Sequence, residues 1–286
     1  MAQLHTVPFV SKPLRGVLYA AILGSLVAST AHAGFVVFEG AGATVASITP
    51  VRDAFRTAVG GGTVAAANGD FGGVRREINW DGVPDAFADP NLLPANFFNS
   101  NSPRGVVFST PGTGFLVSAN AGGATPPLFG FPSDFQVFSP QRLFTAQNSN
   151  ITDVNFFVPG SNTAATTSAF GLVFVDVEVA SLTQIQFFDI NNVLLFSRFA
   201  LVGGNQGLSF VGAVATAGEN VARVRITSGA NTIVSNGVLG DPNNDVVVMD
   251  DFLYATPVGV APEPWSLSLL GAGLLAVCVR RKIATK

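Results

Sequence analysis

From position 74 onward the chain alternates short runs rich in Val, Ile, Leu and Phe with clusters of Gly, Asn, Asp and Pro. Period-two or continuous β-branched and aromatic runs of this length predict strands, and the clusters between them predict turns. The expected strands cover 35–38, 74–80, 105–110, 114–118, 134–138, 151–158, 170–179, 182–190, 193–201, 208–215, 221–227 and 246–254, and Asn191-Asn192 marks a hairpin between two of them. In 171–179, Val173, Val175, Val177 and Val179 share one face, while Leu172, Phe174, Asp176 and Glu178 share the other. That alternation puts the valine face in the core and the acids outside, within reach of Arg223 or Arg225 on a neighbouring strand. The helical period shows in the body only at 49–60, where Thr49 reads as an N-cap, Pro50 as the first helical residue and Gly60 as the stop. Its apolar positions Val51, Phe55, Ala58 and Val59 form one face, suited to lying on a sheet. Many short strands without intervening helices predict an all-β fold, an antiparallel β-sandwich of jelly-roll type with one short helix near its start.

Two further apolar segments bracket this body. The first, 17–27, follows Lys12 and Arg15 and ends near Ala31-His32-Ala33, the layout of a signal peptide over 1–33 cleaved before Gly34. The second, 265–279, opens with Trp265 and closes on Arg280, Arg281 and Lys282. At fifteen residues it is short for a spanning helix, and its basic end is expected to stay cytoplasmic. Pro262, Glu263 and Pro264 precede it, and the two prolines keep that tripeptide extended.

In order and spacing, Pro262-Glu263-Pro264, the short apolar segment and Arg280-Arg281 resemble the PEP-CTERM sorting signal. The resemblance implies a Gram-negative bacterium, recognition of the tail by an exosortase-type sorting protease, transient tethering to the inner membrane and final placement at the cell surface or in the extracellular matrix. It covers the tail, taken as 259–286. The stretches 75–99 and 170–254 also resemble ectodomains of exported proteins of this type, which carry no assigned activity.

Composition removes most chemistries from the body, residues 34–258. Both histidines, the cysteine and all the lysines lie in the two ends. Ser-His-Asp and Cys-His catalysis, Schiff bases, the usual zinc sites and disulfides are therefore excluded there. Residues 34–261 hold 9 arginines against 17 acids, a balance of −8 that argues against nucleic acid as a partner.

Carboxylates, hydroxyls, amides and arginines remain. Glu39 follows the first strand and Asp250-Asp251 lies in the last. Jelly-roll carbohydrate-binding modules often hold a structural calcium with an early acid and a late aspartate, so the resemblance makes Glu39, Asp250 and Asp251 candidate Ca2+ ligands. The acidic loops with Asp81, Asp85, Asp89 and Asn91, and with Asp241 to Asp245, are weaker cation candidates, because turn chemistry accounts for most of them. Trp80 is the candidate platform for an extracellular polysaccharide, although a tryptophan among apolar neighbours is more often core. Glu77 and Asp81 could form the carboxyl pair of a glycan hydrolase or lyase, but pairing of Glu77 with Arg75 or Arg76 is the simpler reading. These residues together predict a non-enzymatic surface protein, with polysaccharide binding as the first alternative and a carboxylate-based enzyme as the second.

Overall fold

The computed structural model describes residues 34–234, 239–240 and 244–260. The expected signal peptide, the apolar segment 265–279, Pro262, Glu263, Pro264, Arg280, Arg281 and Asp241 lie outside the described residues. Among the described residues no helix is long and apolar enough to cross a membrane.

Two antiparallel sheets make the body. The larger contains β1 (Phe35–Gly42), β12 (Leu208–Ala215), β9 (Ala169–Val175), β14 (Val248–Ala255), β3 (Arg75–Ile78) and β2 (Asp70–Phe71) in that order. Two more strands, β6 (Phe144–Gln147) and β5 (Gly114–Val117), join it beside β14. The smaller sheet runs β11 (Leu194–Phe199), β10 (Gln184–Phe188), β13 (Arg223–Thr227), β7 (Ile151–Phe156) and β4 (Val106–Ser109). A short pair, β8 (Ala165–Thr166) with β15 (Val258–Gly259), ties down the end of the body and extends it to Gly259.

The sheets face each other across an aromatic core. The smaller sheet contributes Val154, Phe156, Ile185, Phe187, Val224 and Ile226, and the larger contributes Phe170, Leu172, Phe174, Val211, Phe252 and Tyr254. On the outside of the smaller sheet the strands alternate with solvent, as β13 and β10 do residue by residue. There Asp153, not Asp176 or Glu178, takes Arg223 and Arg225, because β7 is the neighbour of β13 and places Asp153 opposite Arg225. The Asn191-Asn192 hairpin joins β10 to β11 with Asn192 in the left-handed region at φ 63°.

The other face of the larger sheet is also covered. Helix α1 (Val45–Val59) and the loop 128–143 bury Ile48, Phe55, Phe129, Phe135, Phe138 and Leu143 against Val173, Val175, Phe210, Val248 and Leu253. Every residue of β9 is consequently buried, Leu172 and Phe174 on one side and Val173 and Val175 on the other. The expectation of a solvent face with Asp176 and Glu178 is corrected: β9 ends at Val175, and Asp176 turns away at φ 73°. Gly171 and Gly212 stand side by side under the Phe55 ring, where a Cβ on Gly212 would come within 3.0 Å of that ring and of Gly171 Cα.

Other boundaries differ from expectation as well: β1 runs on to Gly42, so Glu39 lies within it rather than after it, and β2, β8 and β15 fall outside the expected strands. The helix starts at Val45, with Thr44 as its N-cap residue, so Pro50 is inside it. As the sixth helical residue, Pro50 has no N–H to donate to the carbonyl four residues back, so one intrahelical bond is missing there. Segment 134–138 is loop rather than strand, its apolar residues plugging the second layer. Strand β6 falls outside the expected strands because Phe-Thr-Ala-Gln is only four residues long and half polar.

At the start of the described chain, Gly34 is held twice. Its carbonyl accepts the Thr216 N–H at 2.9 Å, and its nitrogen donates to the Glu219 carboxylate.

Candidate functional site

An irregularity in β14 decides where its two aspartates go. Met249 pairs with Phe174 and Phe252 with Leu172, so Asp250 and Asp251 together oppose the single residue Val173. This one-residue bulge keeps Met249 and Phe252 in the aromatic core and turns both aspartates to the helix-and-loop side. Strict alternation would have sent one carboxyl among the phenylalanines.

Asp250 is fully buried and Asp251 is 4% exposed. Asp250 Oδ2 accepts the Phe138 N–H at 2.6 Å and the Ser139 N–H at 3.3 Å. Ser139 Oγ lies 3.1 Å from Asp250 Oδ1 and 2.7 Å from Asp251 Oδ1. One hydroxyl proton cannot serve both carboxyl groups, so a proton held on Asp250 completes the set. Burial pushes both carboxyls above their ordinary range, and the charge of Asp251 pushes Asp250 further. The pair fastens the loop of the second layer to the sheet.

Asp251 and Ser139 line a cleft of about 330 Å³ that also touches Arg52 and Arg56 of α1, Phe71, Glu77, Asn79 and Arg104. A neighbouring cleft of about 390 Å³ shares Asn79 and Arg104 and continues past Phe97, Asn101 and Ser102. A third, of about 760 Å³, shares Arg52, Arg56 and Phe71 and follows α1 to Gly60 and Gly62. The three adjoin through these shared residues, forming a groove of mixed polar and apolar lining along α1, residues 60–71 and the end of β3.

Glu77 is the hub of its charges. It accepts Arg56 Nε at 2.8 Å and Arg75 Nε at 2.7 Å, and Arg56 Nη2 closes a bidentate pair. Arg75 also donates to the carbonyls of Arg56, Gly60 and Gly62 and lies over the Phe71 ring. Arg52 bonds Asp53 at 2.7 Å and reaches within 3.8 Å of Asp251. Arg104 donates Nη1 to the Glu77 carbonyl at 2.6 Å and lies over the Phe98 ring, but its Nε is buried without a partner. Burial lowers the Arg104 pKa, and repulsion from Arg76 adds to this.

The sequence candidates divide. Glu39 does not join Asp250 and Asp251. It pairs through Val211 and Leu172 to Phe252 across three strand spacings, roughly 14 Å of sheet. It instead bonds Arg198 Nε at 2.7 Å, bridging the edges of the two sheets, and that hydrogen bond and charge lower its pKa. Trp80 is 1% exposed, stacked 4.0 Å from Phe144 and donating Nε1 to the Asp250 carbonyl at 2.8 Å. Its left-handed backbone, φ 66°, ends β3 early and turns the chain, so Trp80 is a core residue rather than a platform. Asp81 accepts the Gln141 and Arg142 N–H groups, and Asp85 pairs with Arg142. Asp89 is buried with Oδ1 unpartnered, and burial raises its pKa.

The described group suited to a metal ion is a different one. Asp176, Glu178 and Asp245 each bring a carboxylate oxygen within 4.8 Å of the others. Asp176 accepts the Gln206 N–H at 2.8 Å. Burial, with repulsion from Glu178, Asp245 and Asp134, pushes Asp176 up to about 7. Burial and Glu178 raise Asp245 as well. Sequence reasoning had Asp176 and Glu178 on a strand and Asp245 in a loop; only the left-handed turn at Asp176 brings them together. For Arg104 no local signal existed, since its distinction lies in what fails to pair with it.

No curated protein and no solved structure matches the chain. The PEP-CTERM protein-sorting motif matches residues 260–282, beginning one residue after β15. That motif implies processing by exosortase, an integral membrane enzyme, and transient anchoring before it. The chain is thus an exported protein bearing a PEP-CTERM sorting motif, with a β-rich body placed directly before it.

Proposed function

We propose that the body is a non-enzymatic structural or interaction module displayed at the cell surface or in the extracellular matrix. The observation that carries this reading is the sorting motif starting where the folded body ends. The carboxylates offered for catalysis support it too, because Glu77 and Asp81 are both held by partners within the fold. The order β3-β14-β9-β12 in one sheet and β7-β13-β10-β11 in the other supports a jelly-roll topology.

Within this reading the calcium expectation passes from Glu39, Asp250 and Asp251 to Asp176, Glu178 and Asp245, three carboxylates that no arginine neutralises among the described residues.

The test of the main reading is fractionation. The chain and a variant with Pro262 and Pro264 replaced by Ala are expressed with and without an exosortase. Transfer of the native chain from inner membrane to surface or medium, and retention of the variant, is the expected result. Equal distribution of the two would overturn it, and release of reducing ends from a glycan panel that disappears in Glu77→Gln would replace it with the enzyme reading.

A further inference from the structure

We propose that the groove at Arg104 binds the carboxylate of an acidic sugar residue. Among the described residues the other 8 arginines each stand within 4.0 Å of a carboxylate. Arg104 alone does not, in a body where acids outnumber arginines by 17 to 9. A half-buried guanidinium whose Nε is buried without a partner and whose face lies on Phe98 is costly to leave without a counter-charge. It stands at the junction of the 330 Å³ and 390 Å³ clefts, each of the size that takes a small ligand.

The surroundings select the anion. Glu77 and Asp251 line the same groove, so a phosphate or sulfate, which concentrates its charge on one group, meets more repulsion there than an acidic sugar, which brings one carboxylate per ring. Around the junction stand the amides of Asn79, which lines both clefts, and of Asn101 at the rim, while the Ser102 and Ser139 hydroxyls donate to Asn68 and Asp251 and keep acceptor capacity toward the groove. Such groups match the hydroxyls of a sugar ring, while the planar fork of an arginine matches a carboxylate. This inference concerns ligand capture and is independent of how the chain is sorted.

The test is calorimetric titration of the full chain, in mild detergent, with trigalacturonate, a neutral galactose trisaccharide and sodium sulfate. Saturable trigalacturonate binding is expected, at least tenfold tighter than to the neutral trisaccharide and weakened by salt. Arg104→Gln is expected to lose at least tenfold. Because Arg104 also holds the Glu77 carbonyl, Asn101→Asp supplies a second variant at an exposed position of the rim: it should weaken trigalacturonate severalfold and leave the melting temperature unchanged. Absence of saturation, equal binding of the neutral trisaccharide, sulfate competing as well as trigalacturonate, or a folded Asn101→Asp with native affinity would each overturn the proposal.

Discussion

The larger sheet has two faces that solve burial in opposite ways. Toward the smaller sheet it meets an aromatic layer in which Trp80, Phe108, Phe144 and Phe252 touch ring to ring, and the indole N–H finds a backbone carbonyl. Toward helix α1 it meets a layer that mixes Phe55, Phe135 and Phe138 with Asp250, Asp251, Ser139 and the arginines of the groove. The first layer is held mainly by apolar packing, with the Trp80 indole and the Tyr254 hydroxyl each finding a backbone carbonyl, whereas the second depends on polar side chains finding each other. Dry layers fail by cavity formation; mixed layers fail by leaving a charge or an amide unpaired.

The largest test of this contrast is Trp80→Ala, expected to cost about 4 kcal/mol in denaturant unfolding because it empties the centre of the dry layer. A loss below about 1 kcal/mol would show that the layer collapses around the gap. Next comes pH at the margin of the mixed layer. Asp176 has an ordinary value of 3.8 and a folded value of about 7. Between those values the folded state binds the extra proton, so stability should fall as pH rises across the window, by up to about 4 kcal/mol. Asp176→Asn should flatten that slope and raise the melting temperature at neutral pH. It should also abolish any calcium-dependent rise seen against excess chelator; a rise that survives the substitution would place the ion elsewhere.

Asp250→Ala should cost about 2–3 kcal/mol by stranding the Phe138 and Ser139 amides. Asp250→Asn, which keeps an acceptor, should cost less, and equal losses from the two would argue that volume rather than hydrogen bonding matters there. Gly212→Ala should cost roughly 1–3 kcal/mol in thermal melts, since its methyl group meets Gly171 and the Phe55 ring. The smallest effect, under about 1 kcal/mol, is expected for Glu39→Gln, whose partner Arg198 is largely in solvent. A larger loss would make that bridge between sheet edges a true element of the sandwich.

The dry layer was more legible in the sequence than the mixed one, with the exception of β6, which carries Phe144 onto Trp80. Strand β12 was read to the residue and β13 nearly so, because one face or two of continuous apolar residues leave little freedom in the period. The mixed layer defeated the same reasoning at three points. Segment 134–138 has strand composition but serves as a plug; β14 carries an extra residue that no periodicity reveals; and Asp176 leaves its strand through a left-handed turn. Each of these depends on contacts distant in sequence, such as Asp250 with Phe138 or Asp134 with Asp176. Glu39 was misplaced for the same reason: being early in the chain set its strand, but not which sheet edge it would bridge.

The hold on Gly34 has a consequence for maturation. A Cβ at this position would come within 2.7 Å of Thr216 Oγ1, so glycine fits where a larger residue would have to push the turn aside. Burial works against ionisation of Glu219, yet the amides of Gly34, Glu219, Ala217 and Thr216 together bring its pKa below the ordinary value. Cleavage after Ala33 would turn the Gly34 nitrogen from an amide into an ammonium facing that waiting carboxylate. Removal of the leader there would then add an ion pair, at the open edge of the sheet, to the hydrogen bonds that already hold Gly34.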